Sequence, residues 1–268
     1  MTTTPRLPYY IVDAFTSRPF AGNPAAVVPL TSWPDDAWLQ SVALEMNLSE
    51  TTYWVATDQG YHLRWFTPQV EVDLCGHATL AAAKILARLD QLPDGGTATF
   101  FTRSGPLPTD RQGERFQLDF PVKPAENADP PAGLIEALGA KPGSVGRNQF
   151  DYLVEVESAE ALRKLSPNFN QLKSVRCRGV IVTARADDAA YDFVSRFFAP
   201  AVGIDEDPVT GSAHCCLANY WGQRLGKTTM VGYQASRRGG VVHVEVVGDR
   251  VLLGGEAVIV AAGELLVA

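Results

Sequence analysis

The 268-residue sequence has few cysteines, no dense basic patch and no long apolar run. Each shortage excludes a class of protein. Basic residues number 23 against 30 acidic ones, for a formal net charge of −7, and Arg237-Arg238 is only a pair. A nucleic-acid surface needs a concentrated positive field, so none is expected. No apolar stretch approaches the roughly 18 residues of a membrane span. The opening MTTTPRLPYY lacks the basic-then-apolar order of a secretory signal, and the four cysteines (Cys75, Cys177, Cys215, Cys216) show no disulfide-framework spacing. A reducing cytoplasm is the expected location.

What is present is ordinary globular composition, 46% hydrophobic and 20% charged. Strand-length apolar runs recur in the first half at 10–15, 25–30, 51–56, 61–67, 97–102 and 115–120. In the second half they fall at 152–156, 179–184, 191–198, 241–247 and 250–260, with Gly, Pro, Asn and Asp between runs. Three helices are expected. One has Ser32 as N-cap, Pro34 early, and Asn47 as a left-handed stop. The other two open at Gly76 and Gly211 and are apolar nearly all round, the pattern of buried helices. Strands and helices do not alternate strictly, so the fold class is α+β with largely antiparallel sheets. The proline-rich segment 121–131 is the best candidate connector. Domains are therefore expected at 1–121 and 132–268 with a linker at about 122–131, the last strand returning to the first domain.

An internal repeat organises the chain. Arg64-Trp65-Phe66-Thr67-Pro68 aligns with Arg196-Phe197-Phe198-Ala199-Pro200 at a shift of 196 − 64 = 132, and Val70 and Asp73 align with Val202 and Asp205. Three extra residues are expected to follow Asp205 before Gly211-Ser212-Ala213 falls on Gly76-His77-Ala78. A helix start leaves about four backbone N–H groups without internal partners and carries about half a positive charge. Glycine there admits a ligand close to the backbone. Two such starts facing one cleft would hold a carboxylate without metal or cofactor.

These residues resemble the phenazine-biosynthesis isomerase family (PhzF-like), which shares the diaminopimelate-epimerase fold. The resemblance rests on Asp13-Ala14-Phe15-Thr16, Phe20-Ala21-Gly22-Asn23-Pro24-Ala25, Ser49-Glu50-Thr51-Thr52, Cys75-Gly76-His77-Ala78-Thr79, and Asp205 through Ala213. It implies two pseudo-symmetric domains, each a sheet or barrel around a central helix. It also implies a homodimer and a metal- and cofactor-free isomerase, of the kind that acts on a dihydro-hydroxyanthranilic acid. Glu50 matches the acid/base glutamate, and a buried carboxyl can exchange a proton near neutrality. His77, Asp207 and Ser212 would orient and hydrogen-bond the substrate, with Gly76, Thr210 and Gly211 lining its binding site. The alternative for Asp207 and Ser212 is helix capping.

The related epimerases use one cysteine per half. Here Cys75 counts through the repeat to Thr210, and a hydroxyl cannot replace a thiolate base, so an epimerase is disfavoured. The same count places Val182 at the equivalent of Glu50. His214, Cys215 and Cys216 are consecutive on a helix and diverge by about 100° per residue, so they cannot share a metal. A Ser212–His77–Asp207 hydrolase lacks the G-x-S-x-G elbow. Trp54 and Trp65 serve equally as core or pocket. The remaining alternative is a catalytically silent small-acid-binding protein. The expected partner is a small carboxylate substrate, and no metal, nucleic acid or membrane is expected.

Overall fold

The computed structural model describes residues 6–266, which divide into two compact units: 6–119 with 254–266, and Phe120–Leu253. In the first unit the order is β1 (Leu7–Ala14), β2 (Asn23–Leu30), α1 (Asp36–Met46), β3 (Glu50–Thr57), β4 (Gly60–Phe66), β5 (Glu71–Val72), α2 (Gly76–Arg88), β6 (Thr97–Thr102), β7 (Gly105–Gln112) and β8 (Arg115–Pro121). Neighbours β1–β2, β3–β4, β6–β7 and β7–β8 run antiparallel, whereas β2–β3 and β4–β6 run parallel.

The second unit repeats that plan. It contains β9 (Glu126–Asn127), α3 (Leu134–Leu138), β10 (Pro142–Arg147), β11 (Asp151–Val156), α4 (Ala159–Lys164), α5 (Phe169–Leu172), β12 (Gly179–Arg185), β13 (Phe193–Ala199), a 3₁₀ turn at Pro200–Val202, β14 (Ile204–Asp207), α6 (Gly211–Leu225), β15 (Thr229–Gln234) and β16 (Gly240–Val247). Pairs β10–β11, β12–β13 and β15–β16 are antiparallel, and β11–β12 and β13–β15 are parallel. The parallel and antiparallel steps thus follow one another in the same order in both units. The final strand, β17 (Arg250–Leu265), returns to the first unit and pairs antiparallel with β1. There β8 also pairs with β17, and eight strands form a barrel. The α+β class follows from these elements.

Helix α2 packs on β1, β2 and β3, and α6 on β15 and β16. Alanine-rich α2 has low helix-forming cost and small side chains, which lets nine of its 13 residues be buried among strands. Eight of the 15 residues of α6 are buried. Trp54 and Trp65, at 3% and 1% exposure, belong to the core rather than to a pocket.

The register corrects three expectations. Tyr53 lies opposite Arg64 in β4, and Val182 opposite Arg196 in β13, so Val182 is equivalent to Tyr53 and Gly179 to Glu50. Counting at a fixed 132 overlooked a three-residue difference in the hairpins. Likewise Trp65 pairs with Val72 and Phe197 with Asp207. The extra residues therefore precede Glu206, in the 3₁₀ turn, instead of following Asp205. The paired ion bridges agree: Arg64 forks Glu71 (2.7 and 2.7 Å) and Arg196 forks Glu206 (2.7 and 2.8 Å). Each guanidinium lies over the phenylalanine two residues on, Phe66 at 5.0 Å and Phe198 at 4.8 Å. Helix α1 is capped by Asp35, whose carboxylate accepts from Trp38 N at 2.7 Å, and not by Ser32; Asn47 takes the left-handed stop.

The segment read as a connector is hydrogen-bonded within the second unit. Glu126 and Asn127 pair with Arg147 and Gly146, and Val122 N donates to Asp249 O at 2.9 Å. Strands β7, β10 and β15 and helix α3 carry no strong apolar run or cap, and α4 and α5, capped by Ser158 and Asn168, are only six and four residues long and show too little periodicity to be read. Pro106 and Pro108 interrupt β7, and Gly143 and Gly146 interrupt β10.

Candidate active site

In the first unit, the left-handed Asn47 ends α1 and turns the chain within three residues into β3, whose first residue is Glu50. Helix α2 begins at Gly76. Its N-cap, Cys75, is extended and provides no capping side chain, so the first-turn N–H groups are left to other partners. Thr79 instead donates its hydroxyl back to Cys75 O at 2.6 Å.

His77, the second residue of α2, meets Glu50: Nε2 and Oε2 are 3.0 Å apart, with the side chains 7% and 13% exposed. The distance is that of an ion pair, but the alignment is poor. Both atoms are buried and neither makes a well-directed hydrogen bond. The other ring nitrogen, Nδ1, lies 3.2 Å from Asn23 Nδ2 and 3.5 Å from Cys75 Sγ. Ser49 holds Asn23 in turn, its hydroxyl donating to Oδ1 at 3.1 Å. Asn23 is fully buried at the start of β2. It is placed there by Gly22, at φ +65°, where a Cβ would fall 2.1 Å from Ala14 O.

Burial opposes charge on His77 and the Glu50 carboxylate beside Nε2 favours it; on balance the imidazole is held above its ordinary value. Burial, reinforced by Glu50, pushes the Cys75 thiol up to about 11. Near neutrality Cys75 is therefore a protonated thiol and a poor base.

In the second unit, Thr210 caps α6 without a side-chain cap bond. Its hydroxyl donates to Asp207 Oδ2, and its N–H donates to Gln234 Oε1 at 2.9 Å. Gln234 Nε2 completes the loop by donating to Asp207 O at 2.7 Å. Ser212 Oγ accepts from Arg178 Nη2 at 3.0 Å, and Arg178 forks the buried carboxylate of Asp151 through Nε (2.9 Å) and Nη2. His214 Nδ1 donates to Thr210 O at 2.8 Å, repeating the Thr79 bond of the first unit. Its Nε2 is buried with no partner, and burial pushes the imidazole down to about 4.

The structure thus brings Glu50 and His77 together, and Asp207 and Thr210 together, with Gly76 and Gly211 each opening a helix. Capping does not explain Ser212, whose oxygen goes to Arg178. Within the second unit, Ser212 Oγ meets Arg178 and Asp207 Oδ2 meets Thr210. Sequence reasoning did not single out Asn23, Arg178, Asp151 or Gln234 as functional. Asn23 lies inside a quoted motif, whereas the other three act across strands and carry no local signal.

Among the described residues, one group has metal-ligand spacing: Glu50, Cys75 and His77, whose ligand atoms lie within 4.8 Å of one another. Cys75 and Glu50, however, meet opposite nitrogens of one ring. His214, Cys215 and Cys216 are buried and form no such group.

A sequence model of the family described as phenazine biosynthesis-like protein (PhzC-PhzF) matches residues 12–263. An uncharacterized isomerase of Halalkalibacterium halodurans is 52% identical over 267 residues, 99% of this chain and 100% of that protein. The crystal structure of a PhzF-family phenazine biosynthesis protein from Enterococcus faecalis has 45% identity and a TM-score of 0.93, covering 97% of this chain and 99% of that one. A phenazine biosynthesis PhzC/PhzF protein from Clostridium difficile has 38% identity and a TM-score of 0.90, over 97% and 99% of the two chains.

Proposed function

Because the chain belongs to the phenazine biosynthesis-like family, we propose that it is an isomerase that needs no cofactor and shifts a proton on a small cyclic or unsaturated carboxylic acid, with Glu50 as the acid/base group. The observation that carries this reading is the Glu50–His77 contact. Two buried polar atoms sit 3.0 Å apart without an aligned hydrogen bond. Their poor alignment leaves hydrogen-bonding capacity that a ligand can engage. Relatives named isomerases support the reaction class.

Glu50 Oε2 takes a proton from a carbon next to an unsaturated or carbonyl system, and the C–H electron pair moves into that system. The carboxylic acid so formed returns the proton to another carbon of the same frame, and the product is an isomer. His77 steadies the carboxylate before transfer, and Asn23 and Ser49 fix the ring. First-turn N–H groups at Gly76 and His77 suit an anionic oxygen. In the second unit, Asp207 and Ser212 are proposed to orient and hydrogen-bond polar groups of the substrate, with Thr210 and Gly211 lining its binding site.

General acid–base help is worth about 10²–10⁴ in rate. Glu50→Gln should fold normally and bind acids but lose proton exchange by about that factor. The check is deuterium uptake from heavy water, followed by NMR across a set of small cyclic carboxylic acids. A variant that exchanges at the wild-type rate removes Glu50 from the mechanism. Binding without exchange in the wild-type protein would favour a silent acid-binding role.

A further inference from the structure

The corrected register aligns Arg178 with Ser49, one residue before the Glu50 equivalent, Gly179. At the second residue of each central helix, the first unit therefore offers a carboxylate and the second a guanidinium. Gly179 cannot be replaced by a larger residue without displacing the Phe197 ring, which would lie 2.3 Å from an added Cβ. The second unit has no room for a carboxylate at that position.

Arg178 is held firmly. Its Nε and Nη2 fork Asp151, which is 1% exposed, and the Phe150 and Phe197 rings lie 5.1 and 5.6 Å from the guanidinium carbon. Its side chain nevertheless remains 37% exposed, and among the described residues Nη1 donates to no protein group. Because Ser212 Oγ accepts from Nη2, the hydroxyl proton of Ser212 is free to go elsewhere. Two N–H groups of Nη1, one O–H and the uncapped first turn of α6 are all donors. These donors, set by a planar fork, match a carboxylate and are left partly unmatched by its neutral amide.

We propose that Arg178 and Ser212 form a carboxylate-binding site at the start of α6, with Arg178 as the residue that selects an acid over its amide. Asp151 is a positioning residue: it fixes the fork and leaves one edge of the guanidinium to the ligand. The proposal rests on the reading that the ligand is a small carboxylic acid, but not on proton transfer by Glu50.

Titration calorimetry with anthranilate and anthranilamide tests it. The wild-type protein should prefer the acid. In Arg178→Gln with Asp151→Asn, which avoids leaving a buried carboxylate unpaired, anthranilate should weaken about tenfold or more while anthranilamide is unchanged. Arg178→Lys, which keeps the charge but not the fork, should fall between, and Ser212→Ala should weaken only the acid. Thermal melting confirms that each variant is folded. Glu50→Gln should keep the full preference for the acid, which separates this test from failure of the isomerase reading. An acid preference that survives loss of Arg178, equal losses for acid and amide, or no preference in the wild-type protein would each overturn the proposal.

Discussion

In both units a polar side chain at the entry to a strand meets the second residue of a buried helix, yet in one it is Glu50 on His77 and in the other Arg178 on Ser212. The supporting frame is conserved between the units: an Arg–Glu fork over a phenylalanine, an uncapped helix start, and a bond from the fourth helical residue back to the N-cap carbonyl. Duplication kept the parts that hold the backbone and changed the side chains at the helix starts. On the proposed reading, the first unit carries a proton and the second holds negative charge.

The largest expected effect on this comparison is the loss of exchange in Glu50→Gln described above. Next are the two forks. Arg196 also donates to Leu165 O at 2.7 Å, and nothing else among the described residues forms an ion pair with Glu206. Arg196→Met should therefore cost about 3–4 kcal/mol, the lower part of the range for breaking a buried pair, because the two side chains remain 11% and 20% exposed. Arg64→Met should cost less, since Arg103 remains 2.6 Å from Glu71. Urea denaturation of both variants decides it; equal losses would mean that the extra partners are energetically idle.

A smaller effect separates the two back-bonds. Thr79 does not titrate near neutrality, but His214 does, and burial holds its folded value at about 4 against an unfolded one near 6.5. The unfolded chain takes up the proton first. Stability from neutral His214 is thus complete above about pH 6.5 and is lost as pH falls toward 4, by roughly 3 kcal/mol in all. His214→Thr, which installs the first unit's solution, should flatten the stability profile across that window. An unchanged slope would locate the acid sensitivity elsewhere.

Smallest is Cys75→Ser. With the thiol at about 11, less than about a thousandth is thiolate at neutral pH, so exchange should stay within about tenfold of wild type. Loss on the scale of Glu50→Gln would revive an epimerase-like thiol base.

Much of the frame was legible in the sequence because it is local. Gly76 and Gly211 ahead of apolar runs marked both central helices, and Arg64 and Arg196 marked the repeat. The offset within the repeat was not legible. A three-residue insertion in a turn can be slid along an alignment without penalty, whereas hydrogen-bonded register allows one position only. The caps of α1 show the same limit: Ser32 and Asp35 are both good N-cap residues, and only backbone geometry selects Asp35.

By itself the sequence determined the α+β class, the duplication, the two buried helices and the candidacy of Glu50 and His77, since these depend on periodicity and on short motifs. Only the tertiary structure decided that Glu50 meets His77, that Gly179 rather than Val182 stands at the equivalent of Glu50, and that Arg178 and Asp151 serve Ser212. Those contacts join residues 27 to 34 positions apart, and strand register, which no local pattern encodes, brings them within reach.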